Sequence, residues 1–466
     1  GASSFIRTTL SGLTLGALYF MVAAGLTLIL GLMGVLNFAH GSLFMVGAYS
    51  GWQFYTNPTF LFGLLPFVLA LLVGLAIQPI LQPAIIRWQV PDRWRKPLQI
   101  GLSLGAVALG VVALLGVDFL SLSETAMVSS MVSSNPLAEA SPQEPLNLFW
   151  YRPLLLILAG GILAVAQGRP GDKTQVIRPG AARRGWITLG LLLLVTLVSV
   201  LVREAAPIAV LKMNAHLRFF LALGVGDLVG GGVGAVVEMA LLRPLYARPV
   251  YQVLATLGLA YVILELVQVL WDPLAYQMDR PPMFSQPGKA PNFLAWFSGQ
   301  NTTIDIFGVT FPSYRLFIIF LGILMIAILG FLMKYTRLGM IIRAGVQDRE
   351  MVEALGINVR KVFTMVFVLG AGLAALGGIG AAPFMPVEPL MGDKFLMTGF
   401  ITVVIGGMGS WSGAAVGAFL IGLARSFGDF LALKFSLTPA VSEASTVIIM
   451  AIVLLIRPAG LFGKKE

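Results

Sequence analysis

Very few side chains in this chain are equipped for chemistry, and those few stand in apolar surroundings. No Lys, Arg, Asp or Glu occurs between Arg7 and Arg87, and within that run lie Asn37 and His40. Polar groups so placed must find a partner or water. Two roles are open to His40: it contacts a solute, or it bonds a backbone carbonyl where a helix breaks. Glu265 falls inside another apolar run, 252–271, as a candidate relay or gate, and Gln268, three residues on, is placed to satisfy it. Asp227, in a glycine-rich run, carries the same ambiguity. Glu238 is expected to pair with Arg243 or Arg248, and His216 needs no special role.

The patterns of common enzymes are missing or misplaced. A phosphate-cradling GxxxxGK[ST] loop is not found, since 168–174, GRPGDKT, has the wrong spacing. An intramembrane protease would want GxSxG or paired aspartates inside spans, and HExxH is absent. With no cysteine there is neither a disulfide nor a thiolate metal site. The chain is read as no enzyme, with no cofactor and no metal, so an ATP-driven motor has to be another protein.

Charge gathers instead in one loop, 334–361, KYTRLGMIIRAGVQDREMVEALGINVRK, between two long apolar segments. It predicts a short helix over 349–355, with Asp348 as N-cap, Glu350 in the first turn and Gly356 at C′. Met351, Val352 and Leu355 fall on one face, giving a rod with an apolar edge and a charged back. Such a rod suits docking into a groove of a soluble partner. The plainer alternative is a solvated connector whose charges only obey the positive-inside rule.

What must position these groups is a set of membrane spans. Residues are 58% hydrophobic and 11% charged, and charge-free runs such as 395–424 exceed the roughly 20 residues one crossing needs. Continuous apolar runs, rather than alternating ten-residue segments, exclude a β-barrel. The expected fold is all-α: a polytopic bundle of about 11 to 13 spans, with the segments around Asn37 and Gly409 as possible re-entrant half-helices. The net charge of +10 sits in short loops, which argues against nucleic acid. Basic loops at 78–97 and 169–184, against an acidic loop at 118–150, orient the chain with a cytoplasmic C-terminus. Two external loops, 118–150 and 273–312, are long, and the aromatic residues of the second read as an interfacial belt. The chain opens on Gly1 rather than Met, as a trimmed or tagged chain would, and no cleavable signal is seen.

Glycines recur at four-residue spacing: Gly12 and Gly16, Gly47 and Gly51, Gly226 with Gly230 and Gly234, Gly413 and Gly417. These let helix backbones approach. Three denser clusters, at 230–232, at 377–380 and at Gly406, Gly407 and Gly409, have two readings: close packing, which is the favoured one, or helix breaks that offer backbone groups to a solute.

The stretch 12–51, with Asn37-Phe38-Ala39-His40-Gly41 at its core, resembles the opening of LivH-type permease subunits of branched-chain amino-acid ABC importers. Further similar blocks are 237–249 (VEMALLRPLYARP) running into Ala255-Thr256-Leu257-Gly258, then 336–368, 404–417 (VIGGMGSWSGAAVG) and the ending RPAGLFG at 457–463. The resemblance divides the chain into a permease core at 1–57, an inserted segment of about four extra spans at 58–213, and a second core part at 214–466 holding the loop 334–361. It implies that ABC ATPases grip that loop, with Arg343, Ala344, Asp348, Glu350, Glu353 and Gly356 matching the coupling motif. Glu353-Ala354-Leu355-Gly356 also resembles the EAA signature of other importers. The residues themselves, rather than the resemblance, suggest a solute path along Asn37, Phe38, His40, Glu265 and Gly407. The implied partners are a second permease subunit, an external solute-binding protein, membrane lipid and a small solute, all at a bacterial inner membrane. Urea or short amides are the alternative solutes; a proton-driven secondary transporter using Glu265, Asp227 and His40 is the alternative of another class.

Overall fold

The computed structural model describes residues 2–34, 36–88, 90–115, 151–168, 181–246 and 248–463. The acidic loop 118–150, most of the basic loop 169–184, and Lys464 and Lys465 lie outside them. In chain order the helices are α1 (Ala2–Met33), α2 (His40–Thr56), α3 (Thr59–Ala76), α4 (Gln78–Arg87), α5 (Asp92–Leu114), α6 (Tyr151–Gln167), α7 (Ala181–Val202), α8 (Ala205–Lys212), α9 (Ala215–Val236) and α10 (Pro249–Trp271). Then follow α11 (Phe293–Gly299), α12 (Ser313–Tyr335), α13 (Arg337–Gln347), α14 (Arg349–Ala354), α15 (Val359–Ala381), α16 (Met391–Gly406), α17 (Trp411–Lys434) and α18 (Ala440–Ile456). Among the described residues nine helical segments are long and apolar enough to cross a bilayer, and α6 and α18 are shorter apolar helices. The architecture is the all-α polytopic bundle that the apolar runs demand.

By mutual packing the chain falls into two compact units, Gly1–Tyr55 with Asn214–Glu466, and Thr56–Met213. The first is built around α1. That helix is apolar on every side, and from Ala17 to Ile29 every residue is buried. Its neighbours come very close: a methyl group on Gly25 would lie 2.3 Å from the Gly370 carbonyl oxygen of α15. On the next helix, one on Gly378 would lie 1.9 Å from the Phe44 carbonyl oxygen of α2. The backbones meet with no side chain between them, as spans do where lipid gives no hydrophobic drive. All four sets of spaced glycines lie at such contacts, Gly12 and Gly16 on α17, Gly47 and Gly230 both on Ala375 of α15.

Two of the three denser glycine clusters follow the packing reading. Residues 230–232 lie inside unbroken α9 and 377–380 inside unbroken α15, where packing explains most of them. Only the third cluster breaks, with Gly407 at φ +98° and Gly409 at φ +80°, so α16 stops and α17 restarts on the N-cap Ser410.

The loop 273–312 is more ordered than an aromatic belt. Strand β1 (Gln286–Ala290) pairs parallel with β2 (Asn301–Ile306), which pairs antiparallel with β3 (Val309–Pro312), and α11 makes the crossover. The hairpin turns on Phe307 and Gly308, both at positive φ, in the geometry that matches strand twist. Asp305 accepts from the Gly308 amide at 2.8 Å and pairs with Lys289. The hydrogen bond from Lys289 is the main reason its carboxyl is held below the usual range.

The second unit holds α3 to α8. Its tightest contact joins α3 and α6, where a methyl on Gly74 would meet the Ile157 carbonyl oxygen at 2.2 Å. A small core of Phe67, Ala70, Ala113 and Leu156 sits beside it. Much of α7, including Trp186, Ile187, Leu191 and Leu194, is exposed.

Candidate functional site

The α1–α2 break is the most polar place in the buried interior of the first unit. After Gly34, at φ +68°, the chain leaves the helix and Asn37 closes a turn. Its Oδ1 accepts from the Ala39 amide at 3.1 Å and its carbonyl from the His40 amide at 3.2 Å. Asn37 and His40 are both buried. His40 Nε2 lies 3.1 Å from the Val22 carbonyl oxygen of α1, to which it donates, so the backbone-bonding role foreseen for it is real. The other ring nitrogen, Nδ1, is then an acceptor. Among the described residues neither it nor Asn37 Nδ2 has a partner. This leaves a buried donor and a buried acceptor whose hydrogen-bonding capacity is unused among the described residues.

The break is held from outside by α10. Thr256 Oγ1 accepts from the Phe38 amide at 3.2 Å, and Gln252, one turn earlier on the same buried face, has its Oε1 without a partner among the described residues. Sequence reading missed Gln252. Its signal was there, an amide four residues before Thr256 in an apolar span, but nothing in its spacing tied it to Asn37.

Other expected path residues are not brought here. Glu265 lies on the exposed face of α10 with Tyr261, Val262, Leu266 and Val269, whereas Gln252 and Thr256 are on the buried face. Among the described residues Gln268 makes no side-chain hydrogen bond to it. Gly407 stands at the α16–α17 break, but the backbone groups freed there are taken by the chain itself. The Leu461 amide donates to the Ile405 carbonyl at 2.8 Å and the Phe462 amide to the Gly406 carbonyl at 3.0 Å. A methyl on Gly407 would meet the Gly463 nitrogen at 2.4 Å, leaving no room for a solute. Residues 101–105 have GxSxG spacing, but Ser103 lies inside α5 and donates to the Gln99 carbonyl at 2.8 Å, with no strand before it.

The charged loop forms two helices rather than one. Thr336 caps α13 by accepting from the Gly339 amide at 3.1 Å, and Asp348 caps α14 by accepting from the Met351 amide at 2.9 Å. Gly356, at φ +79°, ends the second as foreseen. Arg343, Ala344, Asp348, Glu353 and Gly356 are exposed; the side chain of Glu350 is outside the described ones. The expected apolar edge splits: Val352 is buried, while Met351 is 61% and Leu355 73% exposed. Met340 on α13 is likewise exposed. The pair lies across one end of the bundle, with Gly345 against Leu32 of α1 and Val346 against Gly409.

Next to it is a second polar cluster. The six-residue π-helix Val237–Leu242 prolongs α9, and within it Glu238 is fully buried. Arg243 reaches its two oxygens from Nε at 3.3 Å and from Nη2 at 3.0 Å. Thr364 Oγ1 of α15 is 2.7 Å away, and the Tyr246 hydroxyl donates as well. The expected Glu238–Arg243 pair is thus present, and Thr364 and Tyr246 were not foreseen.

Long apolar spans packed through glycine and crossed at one end by an amphipathic pair of helices make this a multi-pass membrane protein. A family model for the permease component of branched-chain amino acid transport systems matches residues 8–93 and 182–457, and the chain belongs to that family. The match leaves 94–181 without a counterpart and extends into both ends of the stretch 58–213 read as an insert. The chain is 29% identical over 173 residues to the high-affinity branched-chain amino acid permease LivH of Escherichia coli K12, covering 37% of this chain and 53% of that protein. It thus spans about half the length of that relative. A probable LivH of Methanocaldococcus jannaschii is 28% identical over 250 residues, 52% of this chain and 74% of the relative. The fructose import permease FruF of Bifidobacterium longum is 28% identical over 245 residues, 51% and 62% of the two chains. No solved structure matches.

Proposed function

We propose that this chain is the membrane-spanning subunit of an ATP-driven importer of branched-chain or other hydrophobic amino acids, coupled to separate ABC ATPase subunits through α13 and α14. The observation that carries this reading is the exposed, capped α14 with Met351 and Leu355 outward and Val352 inward: a rod anchored on one side and free on the other. Asp348 and Glu353 form its charged back, with Arg343 and Ala344 on α13 beside it. Closure of the motor pushes or pulls the rod, and the spans switch between two packed arrangements. The solute passes the Asn37–His40 break, whose open donor and acceptor, with the Gln252 amide, suit an uncharged or zwitterionic small molecule. An external solute-binding protein delivers it, and a second permease subunit completes the assembly. In this reading the C-terminus and the α13–α14 pair face the cytoplasm of a bacterial inner membrane, and residues 94–181, which the family model leaves unmatched, belong to an added segment that faces lipid or another subunit. The name of the fructose permease relative makes a sugar the competing solute.

Two measurements test the reading. In the complex purified with its ATPases, Asp348→Lys with Glu353→Lys should separate ATP hydrolysis from uptake while the protein stays folded. Uptake equal to that of the parent would sink the docking claim. Profiling the ligands of the associated binding protein should return leucine, isoleucine or valine; a sugar, urea or a short amide would replace the solute assignment and leave the importer class standing.

A further inference from the structure

We infer that the buried cluster around Glu238 carries displacement of α14 to the Asn37–His40 break, making Glu238 and Thr364 positioning residues of the transport cycle. The inference rests on the importer reading above and names how motion travels inside it.

Three joints make the connection, two of them between elements far apart in sequence. The first is covalent: α15 begins at Val359, a short step beyond the end of α14 at Ala354, and Asn358 caps it by accepting from the Lys361 amide at 3.2 Å. A shift of α14 therefore moves the first turns of α15, where Thr364 stands.

The second joint is the cluster. Glu238, Arg243 and Tyr246 belong to the elbow between α9 and α10, while Thr364 belongs to α15. The Thr364 hydroxyl reaches Glu238 at 2.7 Å and accepts from Arg243 Nη2 at 2.8 Å. The Tyr246 ring meets Phe363 of α15 edge to face at 5.2 Å. Glu238 is fully buried, so its carboxylate has no water to turn to when the elbow and α15 separate. Arg243 and Tyr246 stay with the carboxylate on the elbow, so the polar link between the two elements is the Thr364 hydroxyl, which separation would take from both Glu238 and Arg243. The π-helix makes this possible: five residues per bond place Arg243 beneath Glu238, which the 3.6-residue turn of an α-helix would not, and such segments recur at functional sites.

The third joint is on α10, which leaves the elbow at Pro249. Seven residues in, Thr256 Oγ1 holds the Phe38 amide at 3.2 Å, and Phe38 lies between Asn37 and His40. Motion of the elbow thus reaches the break through one helix and one hydrogen bond. A rival route exists, since α13 touches α1 directly at Leu32 and the α16–α17 corner at Gly409.

The test uses the full complex with its ATPases and binding protein in lipid vesicles, and reads solute taken up per ATP hydrolysed. Thr364→Val, which removes the hydroxyl at nearly constant volume, should lower that ratio about fivefold or more, the lower end of coupling between sites, with hydrolysis retained. Thr364→Ser should restore it, which a merely structural role does not require. Glu238→Gln should act at least as strongly, and Thr364→Val added to Asp348→Lys should cost nothing further, as expected of steps in series. If Glu238→Gln yields no folded complex, the valine and serine variants decide alone. An unchanged ratio in Thr364→Val while Asp348→Lys lowers it would overturn the transmission route in favour of the α13–α1 contact, leaving the importer reading intact. Equal loss in the valine and serine variants would also overturn it. If Asp348→Lys with Glu353→Lys leaves uptake untouched, the reading beneath falls first.

Discussion

In the most apolar stretch of α1, 83% of the residues are buried, whereas in α5 and α7 the share is 11%. Hydropathy alone cannot separate these helices, since all three would enter a bilayer. What their small residues meet can. On α1 the glycines at 12, 16 and 25 each meet another backbone, while on α7 Gly190 meets nothing within 4 Å and its neighbours are mostly leucine and valine. In a membrane the apolar character of a helix says that it inserts, and spaced small residues permit close packing without ensuring it, since Gly101 and Gly105 of α5 meet nothing within 4 Å. The first unit is built by close approach; much of the second offers its side chains outward.

The largest effect that would break this contrast is predicted at Gly25. Gly25→Leu should abolish the folded protein, because even its first carbon would collide with the Gly370 carbonyl; a monodisperse elution profile with normal yield would refute the close-packing account. Next come paired truncations. Phe44→Ala, at a fully buried position stacked 4.2 Å from Phe395, should cost about 3 kcal/mol, while Leu191→Ala on exposed α7 should cost less than about 0.5 kcal/mol. Reversible unfolding in detergent measures both, and similar costs would erase the difference between the units. Gly190→Ala should stabilise α7 by roughly 0.5–1 kcal/mol, since the new methyl meets open space and helix entropy improves. A loss there would reveal an unrecognised partner for α7.

The smallest effect is expected outside the spans, at the β2–β3 hairpin. Asp305 is held below its ordinary range by Lys289, so its contribution to the hairpin is fully present above the unfolded carboxylate's pKa and disappears as pH falls through the lowered folded value. The protection factor of the Gly308 amide, its exchange corrected for the intrinsic effect of pH, should fall over that acid window and stay flat in Asp305→Asn.

Much of the bundle could be read from the chain because charge-free runs leave few solutions, and the caps Asp348 and Gly356 were legible because capping is local chemistry. What stayed hidden was non-local or lacked periodicity. Strand β1 reads Gln-Pro-Gly-Lys-Ala, with no alternation and two residues that strands avoid, so only its pairing with β2 makes it a strand. Thr364 lies 126 residues from Glu238, and no spacing rule spans that distance. Arg243 at five residues from Glu238 was foreseen as a partner, but not the π-helix that aligns it. Glu265 looked like an interior carboxylate because sequence shows that a residue is within a span, not which side of the helix it occupies. Gly407 was recognised as a break, yet the segment that fills it lies two spans further on.

That filled break has a consequence for how the molecule is made. The carbonyls of Ile405 and Gly406 emerge from the ribosome well before Leu461 and Phe462, with α17 and α18 in between. During insertion this corner must therefore remain provisional, and it is locked only when the segment at 461–462, two helices later, has been made.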